Sequence, residues 1–236
     1  MKKFAALAVL LALALAGGAW WLTHNMDSLL KHAIEKYGSE MTRAKVSVGA
    51  VEIRPADGRG VIRGLTVGNP AGFRTAHAIK VAEIEVALDI GTLTGSVITV
   101  KKIAVKAPEI IYEKGDSLTN FDAIQKNIAD YLGPADRKAK DADAKKLIVE
   151  DLQVTGARAQ ASAAFMNGKT VGIGLPDIAL KNLGKSKGGA TPGELGQEIV
   201  AAIKARLSAA LSFDSLMKSM DAAVDKAGGA IKGLFK

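Results

Sequence analysis

The stretch from Lys45 to Glu113 decides the fold: KVSVGAVEIRPADGRGVIRGLTVGNPAGFRTAHAIKVAEIEVALDIGTLTGSVITVKKIAVKAPEIIYE. Val46, Val48, Val51 and Ile53 advance in steps of two, three and two. The same steps return at Ile98, Val100, Ile103 and Val105, and again at Leu147, Val149, Leu152 and Val154. Steps of two are strand periodicity, because alternate side chains share one face of a sheet. A single step of three keeps the same face buried only if the strand carries an extra residue, a bulge. The recurrence predicts a repeated sheet-building unit.

Ala82, Ile84, Val86, Leu88 and Ile90 alternate with Glu83, Glu85 and Asp89. That is a strand with one oily face and one wet face, and the acidic row reads as a solvent face, not a metal site. Pro55 and Asp57-Gly58 mark a turn after Lys45–Arg54, before a strand over Gly60–Val67. Asn69-Pro70 and Gly72 turn the chain, and Phe73 is placed to plug the open end of the sheet. Val97–Ala107 follows, Pro108 breaks it, and Glu109–Glu113 resumes.

The second half reads similarly. Lys146–Thr155 is a strand by the repeat. Ala157, Ala159, Ala161 and Ala163 alternate with Arg158, Gln160 and Ser162, and Asn167-Gly168 signals a hairpin into Lys169–Gly174. The alanines leave room for a packed helix, a partner or an acyl chain. Leu175–Leu180 is a further strand, and 184–189 is a glycine-rich break.

Helices flank the strands. Over 25–44, Leu29, Leu30, Ala33, Ile34 and Tyr37 predict a connecting helix with one apolar face, capped by Asp27 or Ser28 and stopped at Gly38. Phe121, Ile124, Ile128 and Leu132 predict a helix over 121–132, capped by Asn120, that covers an end or edge of the sheet. A charged linker follows over 135–145. In the C-terminal segment, 190–236, Thr191, Pro192 and Glu194 start a helix with a stripe at Leu195, Ile199, Ile203, Leu207 and Leu211. A second helix begins near Asp214, either as a lid over the sheet or on a membrane surface among its lysines.

At the amino terminus, Lys2 and Lys3 precede an uncharged run over 4–22 that includes Phe4, Leu7, Leu11, Leu15, Trp20, Trp21 and Leu22. Such a run makes roughly 28 Å of helix, about the thickness of a hydrocarbon core. Residues 1–24 therefore read as a membrane anchor. The lysines stay inside, and the bulk of the chain, with its β-rich body over 45–185, lies outside the cytoplasm. The alternative is a signal peptide cleaved near Ala14-Leu15-Ala16, leaving a soluble exported protein. The expected fold class is α+β: an N-terminal transmembrane helix, then a curved, mainly antiparallel β-sheet with repeated bulged strands, covered by C-terminal helices.

Composition narrows function. The net charge is +8 and only 5% of residues are aromatic. No basic run is interleaved with aromatics, so nucleic acid is not an expected partner. The charge suits solubility or attraction to an anionic membrane surface. There is no cysteine, and the three histidines form no ligand cluster in sequence. With no GxSxG and no phosphate loop either, no catalytic, metal or cofactor site is expected.

The order of these pieces resembles the AsmA-like proteins of Gram-negative bacteria. A membrane segment is followed by HAIEKYGSEMT, KVSVGAVEI, GLTVGNPAGF, VAEIEVALDIGTL, VKKIAVKAPEIIYE and NFDAI, then by LIVEDLQV and LPDIALKNLG. The resemblance spans most of residues 1–185. It implies an inner-membrane anchor and a periplasmic β-rich body, which would be a soluble periplasmic protein if the first segment is cleaved; in longer members that body is a curved sheet with an apolar groove, linked to lipid traffic and outer-membrane integrity. It supplies no catalytic motif. This chain is far shorter than the members thought to bridge two membranes. The expected function is non-enzymatic: support of the cell envelope by binding phospholipid acyl chains on the apolar sheet face. The alternative is an envelope scaffold or assembly subunit that binds another protein through its C-terminal helices. The apolar face comprises the three repeats above with Ile84, Val86 and Leu88.

Overall fold

The computed structural model describes residues 26–133 and 145–210. The predicted anchor from Phe4 to Leu22, the linker over 135–144, Leu211 and the helix expected from Asp214 lie outside the described residues.

Helix α1 spans 26–42. The strands are β1 (Val46–Ser47), β2 (Ala50–Arg54), β3 (Arg59–Val67), β4 (Ile79–Leu88), β5 (Val97–Lys106) and β6 (Glu109–Lys114), then β7 (Lys146–Thr155), β8 (Arg158–Ala163), β9 (Val171–Ile173) and β10 (Ile178–Leu183). Helix α2 (Asn120–Leu132) lies between β6 and β7, and α3 (Pro192–Ala210) follows β10. The fold is α+β, with one mixed, mostly antiparallel sheet and helices at both ends of the described chain. β3 joins β1 and β2 to β4, and β4 pairs with both β5 and β6. β5 runs parallel to β7, and β6 parallel to β8. The crossover through α2 explains this: a chain that leaves one end of a sheet and returns over it re-enters in the same direction.

The steps of three mark where the sheet is creased. Between β4 and β5 the register shifts at Ala87/Leu88, which accommodates one extra residue between Val100 and Ile103. β7 pairs beside it in step, Val100 with Val149 and Ile103 with Leu152. Opposite Glu150, Asn182 of β10 turns to a φ of 55°. The second and third repeats are thus neighbours on one crease.

The first repeat belongs to another crease and, against the sequence reading, carries no bulge: the β1–β3 and β2–β3 pairings keep one register across Gly49. By the registers on either side, Gly49 faces Gly64, Gly64 faces Ala82, Ala82 faces Ala107, and Ala107 faces Gly156. Gly64, Ala107 and Gly156 all have φ between 47° and 64°, a left-handed conformation that shifts which side chains face inward. Buried residues accordingly jump from Val48 to Val51.

Helix α1 departs from its sequence reading in two ways. It runs through Gly38, whose missing Cβ would sit 3.1 Å from Val46, so the glycine permits close packing instead of stopping the helix. Asp27 is no cap; its Oδ1 accepts from the backbone N–H of Ile53 at 2.9 Å. Lys31 donates to the Gly49 carbonyl, Glu35 accepts from Val48 N–H, and Ser39 accepts from Val46 N–H. Spaced every four residues, these side chains lie on one helix face and take the place of a neighbouring strand along the β1–β2 edge. Leu29, Leu30 and Tyr37, read from the sequence as part of one apolar face, are exposed.

Helix α2 begins one residue earlier than expected. Thr119 is its cap, in a reciprocal capping box with Asp122, and Asn120 is the first helical residue, with its side chain buried. For α3, the cap at Thr191 with Glu194 forms as read. Leu195, Ile203 and Leu207 are buried, and Ile199 packs beside them. β10 lies slightly later than the Leu175–Leu180 expected for it.

Candidate functional site

The predicted apolar residues assemble into rows across the sheet. One row runs Val51, Ile62, Ile84, Val105, Val154, Ile178; the next runs Ile53, Gly60, Val86, Ile103, Leu152, Leu180. Coverage differs along each row. Val100, Val149, Leu152 and Val154 are buried in the main core with Ile110, Phe121, Ile124 and Leu207, beneath α2 and α3. Val86, Leu88, Ile103, Val105 and Leu147 are partly buried against that core. Val46, Val48 and Val51 are buried where α1 lies along the edge strands. Ile53, Ile84 and Ile98 stay half-buried and outside the main cluster. Ile62, which sequence reasoning missed, completes this half-open strip; it was legible as the residue paired with Val51 once Asp57-Gly58 set the hairpin.

The alanine stripe is filled from within the chain. Ala159, Ala161 and Ala163 are buried, Ala159 within the main core. Beside them Tyr112 meets Phe121 edge-on at 5.9 Å, and its hydroxyl lies 3.0 Å from that of Ser208 on α3. A helix thus takes the place left open for a helix, partner or acyl chain. The Asn167-Gly168 signal does join two antiparallel strands, β8 and β9, with a short 3₁₀ turn over Ala164–Met166 ahead of it.

The other face of β2 to β5 is a ladder of charge. Arg63 bridges Glu52 and Glu83, Lys106 meets Glu85 at 2.8 Å, and Lys101 meets Asp89 at 3.6 Å. The Lys106 hydrogen bond holds the Glu85 carboxyl below its ordinary value and raises Lys106 above its own. On β6, hydrogen bonding from Arg158 likewise lowers Glu109. These carboxylates form the wet face expected from the alternation. No three His, Cys, Asp or Glu among the described residues gather to hold a metal ion.

One polar cluster is buried, and sequence reasoning missed it. Glu113 is 1% exposed. Its carboxylate accepts from Arg74 N–H at 2.8 Å, from Thr75 N–H at 2.8 Å and from the Thr75 hydroxyl at 2.6 Å. Asn120 accepts from Glu113 N–H and donates to Asn69 Oδ1 and the Ile111 carbonyl. Asn69 in turn donates to Thr75. The turn at Asn69-Pro70 and the start of α2 are thereby tied to β6. The available signal was the pairing of two asparagines at turn positions with a glutamate ending an apolar strand. Phe73 lies over Gly115, 3.1 Å from where a Cβ would stand, in the loop after β6.

The two described histidines, His32 and His77, take no part in a cluster. His32 Nδ1 lies 2.7 Å from the Ser28 carbonyl. His77 is half-buried with its Nε2 unpartnered, and burial lowers its pKa against the opposing pull of Glu109. Between α2 and α3, Asp122 is contacted by Lys204 at 2.5 Å. Burial resists ionisation of Asp122, yet hydrogen bonds from Lys204 and Thr119 prevail and set its carboxyl below the ordinary value. No helix among the described residues is long and apolar enough to cross a membrane. In comparisons with known proteins, no family model and no curated protein matches the chain.

Proposed function

We propose that this chain is a non-enzymatic envelope protein of the AsmA-like kind, tethered to the inner membrane by residues 1–24 with its body in the periplasm. In this reading it holds a phospholipid acyl chain against the half-open part of the sheet. One observation carries the reading: Ile53, Ile62 and Ile84 continue the rows of the hydrophobic core but are left half-buried beyond it. Each methylene laid on such a strip contributes about 0.8 kcal/mol, and crossing strands spaced about 4.8 Å apart gives a chain room for several. The strip is bordered on one side by α1, which in this reading continues from the membrane segment.

The test is native mass spectrometry of the full chain extracted in mild detergent. A bound phospholipid is expected on the natural protein, and its loss on Ile84→Asp. A lipid-free protein in a stoichiometric complex with another envelope protein would replace this reading with a scaffold. Lipid retained equally by Ile84→Asp would remove the strip from it.

A further inference from the structure

We propose that the charged face of β2 to β5 carries a binding site for a phosphate-bearing anion, formed by Arg54, Arg59 and Lys102. The site lies on the opposite side of the sheet from the apolar strip and does not depend on the function proposed above.

Registration puts these residues in one row. Arg54 on β2 stands directly opposite Arg59 on β3, Arg59 is opposite Ala87 on β4, and Ala87 is opposite Lys102 on β5. Like charges directly opposite one another in a sheet are destabilising. Elsewhere on this face that cost is avoided, since Arg63, Lys101, Lys106 and Lys181 each have a carboxylate within ion-pair distance. Among the described residues Arg54, Arg59 and Lys102 have none. Of the acids that line the same recess, Glu52 is paired with Arg63 and Glu85 with Lys106. Three positive charges therefore face one recess with no carboxylate in direct ion-pair contact, although Arg59 and Lys102 act on Glu85 at longer range.

The row also has a cavity in front of it. Arg54, Arg59 and Lys102 border a recess of about 340 Å³ that is also lined by Val61, Ala87 and Ala104 and by Glu52 and Glu85. Ala87 is what keeps the row concave, because a long side chain there would fill the space between Arg59 and Lys102. Two guanidinium forks and an ammonium match a tetrahedral dianion better than a single carboxylate, which would neutralise one cation and leave two. A phosphate monoester or a pyrophosphate carries the required charge, and the recess has the size of a small-ligand site.

The test is calorimetric titration of the full chain in non-ionic detergent with inorganic pyrophosphate. Saturable binding is expected, weaker at higher salt, and weakened about tenfold or more by Arg59→Gln and by Lys102→Gln. Lys181→Gln, on the same face but paired with Asp151, is expected to bind as the natural protein does. Without anion, Arg59→Gln is expected to melt at the same temperature or higher, because a repulsive pair is gone. Pyrophosphate should raise the melting temperature of the natural protein and of Lys181→Gln, and much less that of Arg59→Gln or Lys102→Gln. Competition by a short-chain phosphatidic acid in the same micelles, stronger than by glycerol phosphate, would assign the phosphate to a lipid headgroup; equal competition would assign it to a soluble ester. Absence of binding, or equal weakening by Lys181→Gln, overturns the site.

Discussion

The two halves of the apolar wall are built from the same residue types in the same rows, yet they end in different environments. On β7 and β10, Val149, Leu152, Val154 and Ile178 are nearly or fully buried beneath α2 and α3. On β2, β3 and β4, Ile53, Ile62 and Ile84 are half-buried. Nothing in the strands distinguishes them. The difference comes from where the helices go: α2 crosses from β6 to β7 and α3 returns from β10, so both lie over the later strands. Apolar periodicity therefore reports that a face is oily, and coverage by other elements settles whether that surface contributes to stability or stays available for binding.

The comparison can be broken by truncation on each side. Phe121→Ala, in the sealed half, is expected to cost about 3–5 kcal/mol, since it removes a fully buried ring and leaves a cavity. Ile84→Ala, in the half-open half, is expected to cost about 1 kcal/mol, because less surface leaves water and solvent can fill the gap. Urea unfolding of the two variants measures both; equal losses would mean that the strip is as sealed as the core.

Next in size is Glu113→Gln. The amide keeps the volume but turns one acceptor into a donor facing backbone N–H groups, for an expected loss of about 2–3 kcal/mol. Because Asn69, Thr75 and Asn120 share the cluster, a double-mutant cycle with Asn120→Ala should be non-additive.

The edge comes third. Replacing both Asp27 and Glu35 by Ala strips the hydrogen bonds to Ile53 and Val48. A loss of about 1 kcal/mol for each is expected, together with self-association through the uncovered β1–β2 edge, measurable as a concentration-dependent shift in sedimentation. A variant that stays monodisperse would show that α1 does not guard that edge.

The smallest expected effect is on pH dependence. The Asp122 carboxyl lies below its ordinary value in the fold, so the unfolded chain binds more protons across that window. Its stabilising contribution is complete above the ordinary carboxylate range, near pH 4, and is lost as the pH falls through the lower folded value. Asp122→Asn should flatten the acid limb of the stability curve by about 1 kcal/mol or less.

The sequence by itself determined what is local. The steps of three at Val48–Val51, Val100–Ile103 and Val149–Leu152 located irregular strands, because a pleat of period two admits no other way to keep one face apolar. The cap at Thr191 and the turn at Asp57-Gly58 were equally legible, since each depends on neighbours a few residues away. Only the tertiary structure decided which repeats adjoin. The first repeat lies on one crease and the other two share a second, since pairing across the sheet is fixed by crossovers and not by spacing along the chain. Tertiary contacts also turned Gly38 from a helix stop into a packing site and gave Asp27, Lys31, Glu35 and Ser39 a common task along the sheet edge. They took Glu113 out of water too, because a carboxylate tolerates burial only where distant backbone N–H groups converge on it.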